Sequence, residues 1–333
     1  MIASPPQSNR RRWIRQMLIG LGLAVAFWLL SSYAVAYRFT RRLHAIRPEP
    51  VPSITWGTVE SFRLSTPDGE ELGAWYVEGR PTKPLNAETH NVSARTAGGA
   101  PVVLLLHGHG GNRGNCLRRG ELVTSWGCSA MMISLRAHGD STGDFDDIGY
   151  SARHDVVSAV DWIEKNHPNR PVVIWGQSMG AAAAVFAAKE LGERVHGYIL
   201  ECPYQDLRTA VRNRTEFFLP TGLDRLAFAG LLTVSPLVIP DYEKISPLEA
   251  IGDVPSSTPV LILAGSLDRR ARPEEARALY NRVQSHAQLV IVEEADHMQL
   301  MRADSAACRK TVQEFLTKCR VQFALEADQR RRH

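Results

Sequence analysis

Apolar residues in this chain fall into short runs that alternate with amphipathic stretches from residue 102 onward. In the stretch 152–165, Val156, Val160 and Ile163 recur at the spacing of one helix face. Between such stretches, brief runs of β-branched and aliphatic residues predict buried strands. The predicted strands are 102–106, 130–135, 172–175, 198–201, 260–264 and 289–293, and the predicted helices are 115–126, 152–165, 181–191, 274–283 and 305–323. This order of units predicts a mainly parallel α/β sheet with helices on both faces.

Two further strands are predicted ahead of this alternating region. Residues 59–64 and 72–77 are joined by Thr66-Pro67-Asp68-Gly69, which is a strong turn sequence. We therefore expect the chain to open with an antiparallel pair, which brings the predicted sheet to eight strands.

The alternation stops between Cys202 and Pro259. Residues 217–239 are mostly apolar, and we expect Pro220 and Pro236 to interrupt this stretch. The pattern predicts a small helical cap at about 203–258 that covers a pocket. If Phe217, Phe218 and Leu219 form an exposed patch near a membrane, they would suit a lipid-like substrate.

The N-terminal region carries the longest apolar stretch of the chain. From Met17 to Tyr37 there is no charged residue, and a helix of about 20 such residues can cross a bilayer. One interpretation is an uncleaved single-pass anchor. The other is a signal that is cleaved after Ala36, because Ala34-Val35-Ala36 matches an A-x-A site. Basic residues just beyond that site favour the anchor. Arginines flank both ends almost equally, so both orientations remain open.

A linker with three prolines follows, over residues 44–52, and it should make few packing contacts. We therefore divide the chain into residues 1–48, the anchor and linker, and residues 49–333, one domain with the cap inserted. On this division, a chain that lacks residues 1–48 should be soluble and active. Residues 79–100 are polar without periodicity and predict a surface loop, which contains the glycosylation sequon Asn91-Val92-Ser93.

Composition narrows the functional classes. The chain has 333 residues, 44% of them hydrophobic, and a net charge of +4. Because the basic excess lies largely at the two ends, it does not indicate a nucleic-acid partner. The five cysteines show no C-x-x-C spacing, so neither a metal site nor a redox motif is predicted.

The stretch Val172 to Gly180 carries the strongest chemical signal. An apolar strand is followed by Gly-Gln-Ser-Met-Gly and then by a helix-forming run. A sharp turn between strand and helix forces its apex residue, Ser178, into strained backbone geometry, and small neighbours such as Gly176 and Gly180 permit this. Ser178 is therefore a candidate nucleophile.

A serine nucleophile needs a base, and the base needs an orienting acid. Asp268 follows the predicted strand 260–264, and His297 follows the last predicted strand. Parallel strands bring such loops to one edge of the sheet. Asp296 or Glu294 could replace Asp268 as the acid. His138 is the second candidate for the base, with His107, His109 and His154 as weaker ones.

With these residues in the order Ser, Asp, His, the chain resembles the α/β-hydrolases of the serine-hydrolase, abhydrolase-domain branch. The resemblance covers residues 58–323. The resemblance implies Ser178 as nucleophile, His297 as base and Asp268 as acid. It also implies an oxyanion hole formed by the backbone N–H groups of His109 and Met179. Residues 136–143 are similar to the family's R-G-x-G-x-S loop, but Ala137 replaces its usual Gly and Ser134 its usual Asp.

The function that follows is a membrane-anchored serine hydrolase that cleaves a carboxylic ester or related acyl bond through an acyl-enzyme, without a cofactor. A lipid-like or small acyl compound would be the substrate. A serine aminopeptidase or an acyl-protein thioesterase could use the same residues, and a non-catalytic binding protein on this fold is the alternative outside enzymes. A buried thiol is expected at Cys202 rather than a second nucleophile.

Overall fold

The computed structural model describes residues 7–42, 45–79, 99–298, 300 and 306–332, and it contains one eight-stranded sheet. The strands are β1 Val59–Ser65, β2 Glu71–Val77, β3 Val102–Leu106, β4 Ser129–Ile133, β5 Val172–Gln177, β6 Gly197–Glu201, β7 Val260–Gly265 and β8 Ala287–Val292. Their spatial order is β1-β2-β4-β3-β5-β6-β7-β8. β2 is antiparallel to β1 and to β4, and the remaining neighbours are parallel. The predicted fold class is confirmed.

The central strands are buried along their whole length. Every residue of β3, β4, β6 and β7 is buried, because helices cover both faces of the sheet. The helices are α1 Gln7–Thr40, α2 Leu117–Ser125, α3 Arg153–Asn166, α4 Met179–Leu191, α5 Leu207–Phe218, α6 Leu223–Val238, α7 Pro247–Ala250, α8 Pro273–Arg282 and α9 Ala306–Arg332. Aligned register brings the carboxyl ends of β3 to β8 to one edge of the sheet.

One feature differs from the prediction in the region where the alternation stops. Pro220 lies between α5 and α6, as expected, but Pro236 lies inside α6, and the prediction that it interrupts the helix is wrong. It lies in the last turn, where a missing N–H costs one hydrogen bond and few residues follow. The domain boundaries, including the cap at 203–258, remain predictions.

The apolar N-terminal stretch forms a single long helix, α1. It is the one helix among the described ranges that is long and apolar enough to cross a membrane, with a mean hydropathy of 2.0 over a window that is 6% buried. Its second half packs on α6. Trp28 Nε1 donates to the carbonyl of Leu226 at 3.0 Å, and a Cβ on Gly230 would collide with Ser32. The glycine thus lets the two helices approach closely.

The end of α1 is fixed to the sheet domain by backbone pairing. Thr40 accepts a hydrogen bond from the N–H of Asp146 at 2.9 Å, and the N–H of Arg42 donates to Asp144 at 2.9 Å. The Arg42 guanidinium donates to a set of carbonyl oxygens in the loop after β4, those of Gly143, Gly139, His138 and Ser141. One side chain of the N-terminal region thus ties several turns of that loop together.

The linker makes more contacts than its sequence predicts. Glu49 forms a salt bridge with Arg113 at 3.0 Å and accepts a hydrogen bond from Ser134 at 3.1 Å. Its backbone N–H donates to Asp140 at 3.2 Å. The expectation of few packing contacts is wrong at this residue, because a linker glutamate meets a buried arginine. The predicted loop 79–100 lies outside the described residues, apart from 79, 99 and 100.

Candidate active site

Ser178 stands at the apex of the turn between β5 and α4. Its φ of 52° and ψ of −111° are unusual for a residue with a side chain. A Cβ on Gly176 would collide with the carbonyl of Gly180, and one on Gly180 would lie 2.7 Å from the carbonyl oxygen of His107. The two glycines are therefore required by close backbone approach, as the motif predicts.

A chain of hydrogen bonds leads from Ser178 to His297 and on to Asp268. Ser178 Oγ lies 3.2 Å from His297 Nε2, and His297 Nδ1 lies 2.7 Å from Asp268 Oδ2. The three residues are 6%, 8% and 2% exposed, so bulk water is largely excluded. A carboxylate on Nδ1 favours the tautomer in which Nε2 is free to accept the serine proton.

Asp268 is held as a carboxylate by its surroundings. Burial opposes its ionisation, but hydrogen bonds from His297 and from the N–H groups of Ala271 and Arg270 outweigh burial, and its pKa lies below the usual value. The loop after β7 thus orients an ionised acid toward the imidazole.

The rival residues lie elsewhere or have other partners. Asp296 accepts a hydrogen bond from the N–H of Met298, and Glu294 is exposed. His138 Nδ1 lies 2.9 Å from the carbonyl of Arg136, and its Nε2 accepts from the N–H of Gly110 at 3.1 Å. Both ring nitrogens of His138 are therefore engaged in fixing loops.

The loop after β3 runs beside Ser178. A Cβ on Gly108 would lie 3.6 Å from Ser178 Cβ. The N–H groups of His109 and Met179 donate to no other described residue, and Met179 is the first residue of α4. Free N–H groups at a helix N-terminus beside the serine could stabilise negative charge on a reacting oxygen.

The carboxylate of Asp146 holds this loop. Asp146 Oδ2 lies 2.7 Å from His109 Nδ1 and 3.5 Å from His138 Nε2. Burial raises the pKa of Asp146, yet the two imidazoles and a backbone N–H lower it more, so it is a carboxylate. No motif indicates Asp146, because the pairing depends on a loop fold that brings residues 37 positions apart together.

A buried ion pair contacts β5, the strand that leads into the turn at Ser178. Arg119 donates to both oxygens of Glu201 at 2.8 and 2.6 Å, and Trp175 Nε1 donates to the same carboxylate at 3.1 Å. The backbone carbonyl of Glu201 accepts from the N–H of Ser178 at 2.8 Å. Glu201 thus fixes both the end of β5 and the candidate nucleophile, and no sequence motif indicates it.

The loop after β4 tolerates both departures from the family pattern. Ala137 adopts a φ of 60°, a conformation that a glycine would adopt without strain. Ser134 Oγ accepts from the N–H of Arg113 at 3.0 Å and bonds to Glu49. The serine hydroxyl therefore connects the loop to the linker.

Two groups of described residues have ligand atoms close enough to share a metal ion. They are His109, His138 and Asp146, and Cys202, Asp268 and His297. The second group overlaps the Ser178 hydrogen-bond chain, and burial raises the pKa of the Cys202 thiol, which disfavours a thiolate ligand. The first group already holds the loop after β3 through hydrogen bonds.

Comparisons with known proteins agree with the fold. The family model described as serine aminopeptidase S33 matches residues 100–231, and the one described as TAP-like protein matches residues 241–324. Human protein ABHD12B is 27% identical over 66% of this chain and 60% of its own length. Lysophosphatidylserine lipase ABHD12 of Xenopus tropicalis is 29% identical over 50% of this chain, which spans 40% of that relative.

Solved structures extend the similarity to most of the chain. The esterase Pf2001 of Pyrococcus furiosus superposes with a TM-score of 0.61 and 20% identity over 81% of this chain and 98% of its own. The acylaminoacyl peptidase of Pyrococcus horikoshii does so with a TM-score of 0.55 and 15% identity over 78% of this chain and 41% of its own. With the sheet order and the matched families, these similarities show that the chain belongs to the α/β-hydrolase superfamily.

Proposed function

We propose that the protein is a serine hydrolase that cleaves carboxylic esters through an acyl-enzyme, with Ser178 as nucleophile, His297 as base and Asp268 as orienting acid. The observation that carries this proposal is the hydrogen-bond chain from Ser178 Oγ through both imidazole nitrogens to Asp268. Such a chain activates a hydroxyl that is a poor nucleophile alone.

The geometry supports a two-step mechanism. Ser178 Oγ attacks the ester carbonyl while His297 Nε2 takes its proton, and Asp268 stabilises the imidazolium that forms. The N–H groups of His109 and Met179 donate to the oxyanion. When the intermediate collapses, the alcohol leaves with the proton from His297. Water then attacks the acyl-enzyme by the same route, releasing the carboxylic acid and restoring Ser178.

An exposed apolar surface favours a lipid-like substrate at a membrane. Phe218, Leu223 and Leu237 in the α5–α6 region are 64%, 55% and 77% exposed. They belong to the hairpin whose second helix packs along α1. If Met17 to Tyr37 span the bilayer, then Trp28 lies within it, and α6 packs there beside it. The relatives named as lysophosphatidylserine lipases agree with a lipid ester as substrate.

The test replaces Ser178 by Ala in the full chain, purified in detergent, and measures hydrolysis of p-nitrophenyl acyl esters. Loss of a catalytic serine costs on the order of 10⁴–10⁶ in turnover. Ser158→Ala is the matched control, because Ser158 is also buried and its hydroxyl bonds only to the carbonyl of His154 among the described residues. Equal activity in Ser178→Ala and the control would refute the proposal.

The peptidase alternative is tested with the same variants. The name of the matched serine aminopeptidase family favours an amide substrate. Under the ester proposal, in contrast, aminoacyl p-nitroanilides should be cleaved far more slowly than esters. Faster cleavage of the anilides, lost in Ser178→Ala, would replace the ester by an amide and leave the roles of the three residues unchanged.

A further inference from the structure

A basic cavity lies where α1 meets the loop that follows β3. Its volume is about 650 Å³. The end of α1 and the linker contribute Arg38, Arg41, Arg42 and Arg47 to its wall, and His109 lines the opposite side. His109 links the cavity to the site of ester cleavage, because the proposed mechanism assigns its backbone N–H to the reacting oxygen.

The positive charge of this cavity is not neutralised by its own carboxylates. Arg38 and Arg47 have no hydrogen bond or ion pair within the described part of the chain. Arg41 lies over the rings of Phe145, at 4.2 Å, and Tyr37, at 5.4 Å, and has no acidic partner among the residues that the structure describes. Arginine keeps its charge at every physiological pH. The wall therefore carries an excess of cations.

The two acidic groups in the wall already have partners. Glu49 pairs with Arg113 at 3.0 Å, and Asp146 pairs with His109 at 2.7 Å. Arg42 keeps its charge while its N–H groups are engaged by backbone carbonyls. The unmatched guanidinium groups are thus those of Arg38, Arg41 and Arg47.

This charge favours an anion over a metal ion. His109, His138 and Asp146 have metal-like spacing, but four arginines in the same wall would repel a cation. His138 Nε2 also accepts the N–H of Gly110, so its lone pair is engaged. Phosphate oxygens, in contrast, match the donor fork of arginine.

The cavity also lies at the level expected of lipid headgroups. The apolar stretch of α1 ends at Tyr37, and Arg38 follows at once. A helix that spans the hydrocarbon core places such residues at the membrane–water interface, where they attract anionic headgroups. The cavity therefore combines an excess of positive charge with a position at the end of the apolar stretch, and both suit the phosphate of a lipid headgroup.

We infer that Arg38, Arg41 and Arg47 form a binding site for the headgroup phosphate of an acyl-lipid substrate, which holds its ester at Ser178. The inference rests on the proposed ester hydrolysis and adds an anionic headgroup to its substrate. Phosphate binding here would act on substrate affinity, because the arginines contact no atom of the scissile ester.

The experiment compares two substrates that differ by the phosphate alone, 1-oleoyl lysophosphatidate and 1-oleoyl glycerol. The variant tested against wild type is full-length protein with both Arg38→Ala and Arg47→Ala, in neutral detergent. The ratio of KM for the phosphate-bearing ester to KM for the glycerol ester should rise about tenfold to a hundredfold, because each charge-assisted hydrogen bond is strong. Arg38→Lys with Arg47→Lys should restore part of the preference, since charge returns without the fork.

The control removes two positive charges at the opposite edge of the sheet. Lys165→Ala with Lys189→Ala replaces exposed lysines in the last turns of α3 and α4. This control should keep the wild-type ratio. An equal change in the control would show a net-charge effect and overturn the inference, as would a double arginine variant with an unchanged ratio.

Two further measurements separate the possible failures. Equilibrium binding of the two labelled lipids to Ser178→Ala protein needs no turnover, so it tests the headgroup site even if ester hydrolysis is refuted. Inorganic phosphate at about 10 mM should weaken lysophosphatidate binding less than twofold, because inorganic phosphate lacks the acyl chain. Full displacement by inorganic phosphate would overturn the lipid headgroup and assign a free-phosphate site.

Discussion

Asp268 is the residue whose proposed role is easiest to distinguish from that of a neighbour. Asp268→Asn should lower kcat by about 10⁴, because an amide on His297 Nδ1 favours the tautomer that cannot accept the serine proton. Asp296→Asn is the control, since Asp296 precedes the histidine but bonds to the N–H of Met298. Steady-state hydrolysis of a soluble ester measures both. If Asp296→Asn proves the more damaging change, the acid is misassigned.

His107 should make the fold sensitive to acid. Burial lowers its pKa to about 3, so the folded protein leaves it neutral while an unfolded chain protonates it near ~6.5. The unfolded state then binds more protons below that pH, and stability falls by about 1.4 kcal/mol per pH unit as pH decreases toward 3. The contribution of neutral His107 to the free energy of unfolding is therefore fully present only above pH ~6.5.

His107→Gln tests this contribution, because an amide can still accept the N–H of Leu135 that His107 Nε2 accepts at 3.0 Å. The fall in Tm between pH 7.5 and pH 5 should be smaller in the variant than in wild type. An identical fall in both proteins would mean that other buried groups, such as His138, dominate the acid response.

Single residues show where sequence reasoning succeeds and where it stops. The proximity of Ser178, Asp268 and His297 could be predicted because each follows a strand, and parallel strands align their carboxyl ends. Asp146 and Glu201 could not, because their partners His109 and Arg119 are distant in sequence and carry no periodic signal. Their positions depend on how loops and helices pack.

The junction between α1 and the loop after β4 is the element contact with the clearest consequence. Arg42→Ala removes donors to several carbonyls of residues 138–143, which include the backbone of His138. Because His138 holds Gly110, the loop beside Ser178 should loosen. We expect a lower Tm and a reduction of kcat of about tenfold on a soluble ester.

Arg277→Ala is a suitable control for this change, since Arg277 is exposed and pairs with Glu274 in α8. Such exposed pairs contribute little to stability. Differential scanning fluorimetry and kcat measured on both variants decide the question. Wild-type kcat in Arg42→Ala would show that this junction does not position the loop.

Elements are predictable where apolar residues form short runs or recur at a regular spacing, and less so where contacts between elements decide the structure. Strands β2 to β8 follow from short apolar runs, and β1 follows from the turn that joins it to β2. The helix α6 was harder, because Pro236 predicts an end that the structure places two residues later, at Val238. No pattern in α1 distinguishes its exposed positions from Trp28 and Ser32, which meet α6. Such pairing is a tertiary property.

The division of the whole chain into anchor and domain is the last point that experiment can decide. The sequence predicts that residues 1–48 are dispensable, yet Trp28, Thr40 and Arg42 contact the rest of the chain. Removal of residues 1–24 keeps these contacts, and we expect wild-type kcat on a short soluble ester. Removal of residues 1–48 also uncovers the apolar face of α6, at a cost of about 25 cal/mol per Å².

The longer truncation should therefore aggregate or lose most of its activity, and the shorter one should not. Both chains are purified in the same detergent and assayed with the same ester, so that a difference reports the contacts of residues 25–48 rather than the solvent. A soluble, fully active chain that begins at Glu49 would show that α1 only anchors the protein. An inactive chain that begins at Val25 would instead show that the activity needs residues 1–24, because these residues are its only difference from the full-length chain.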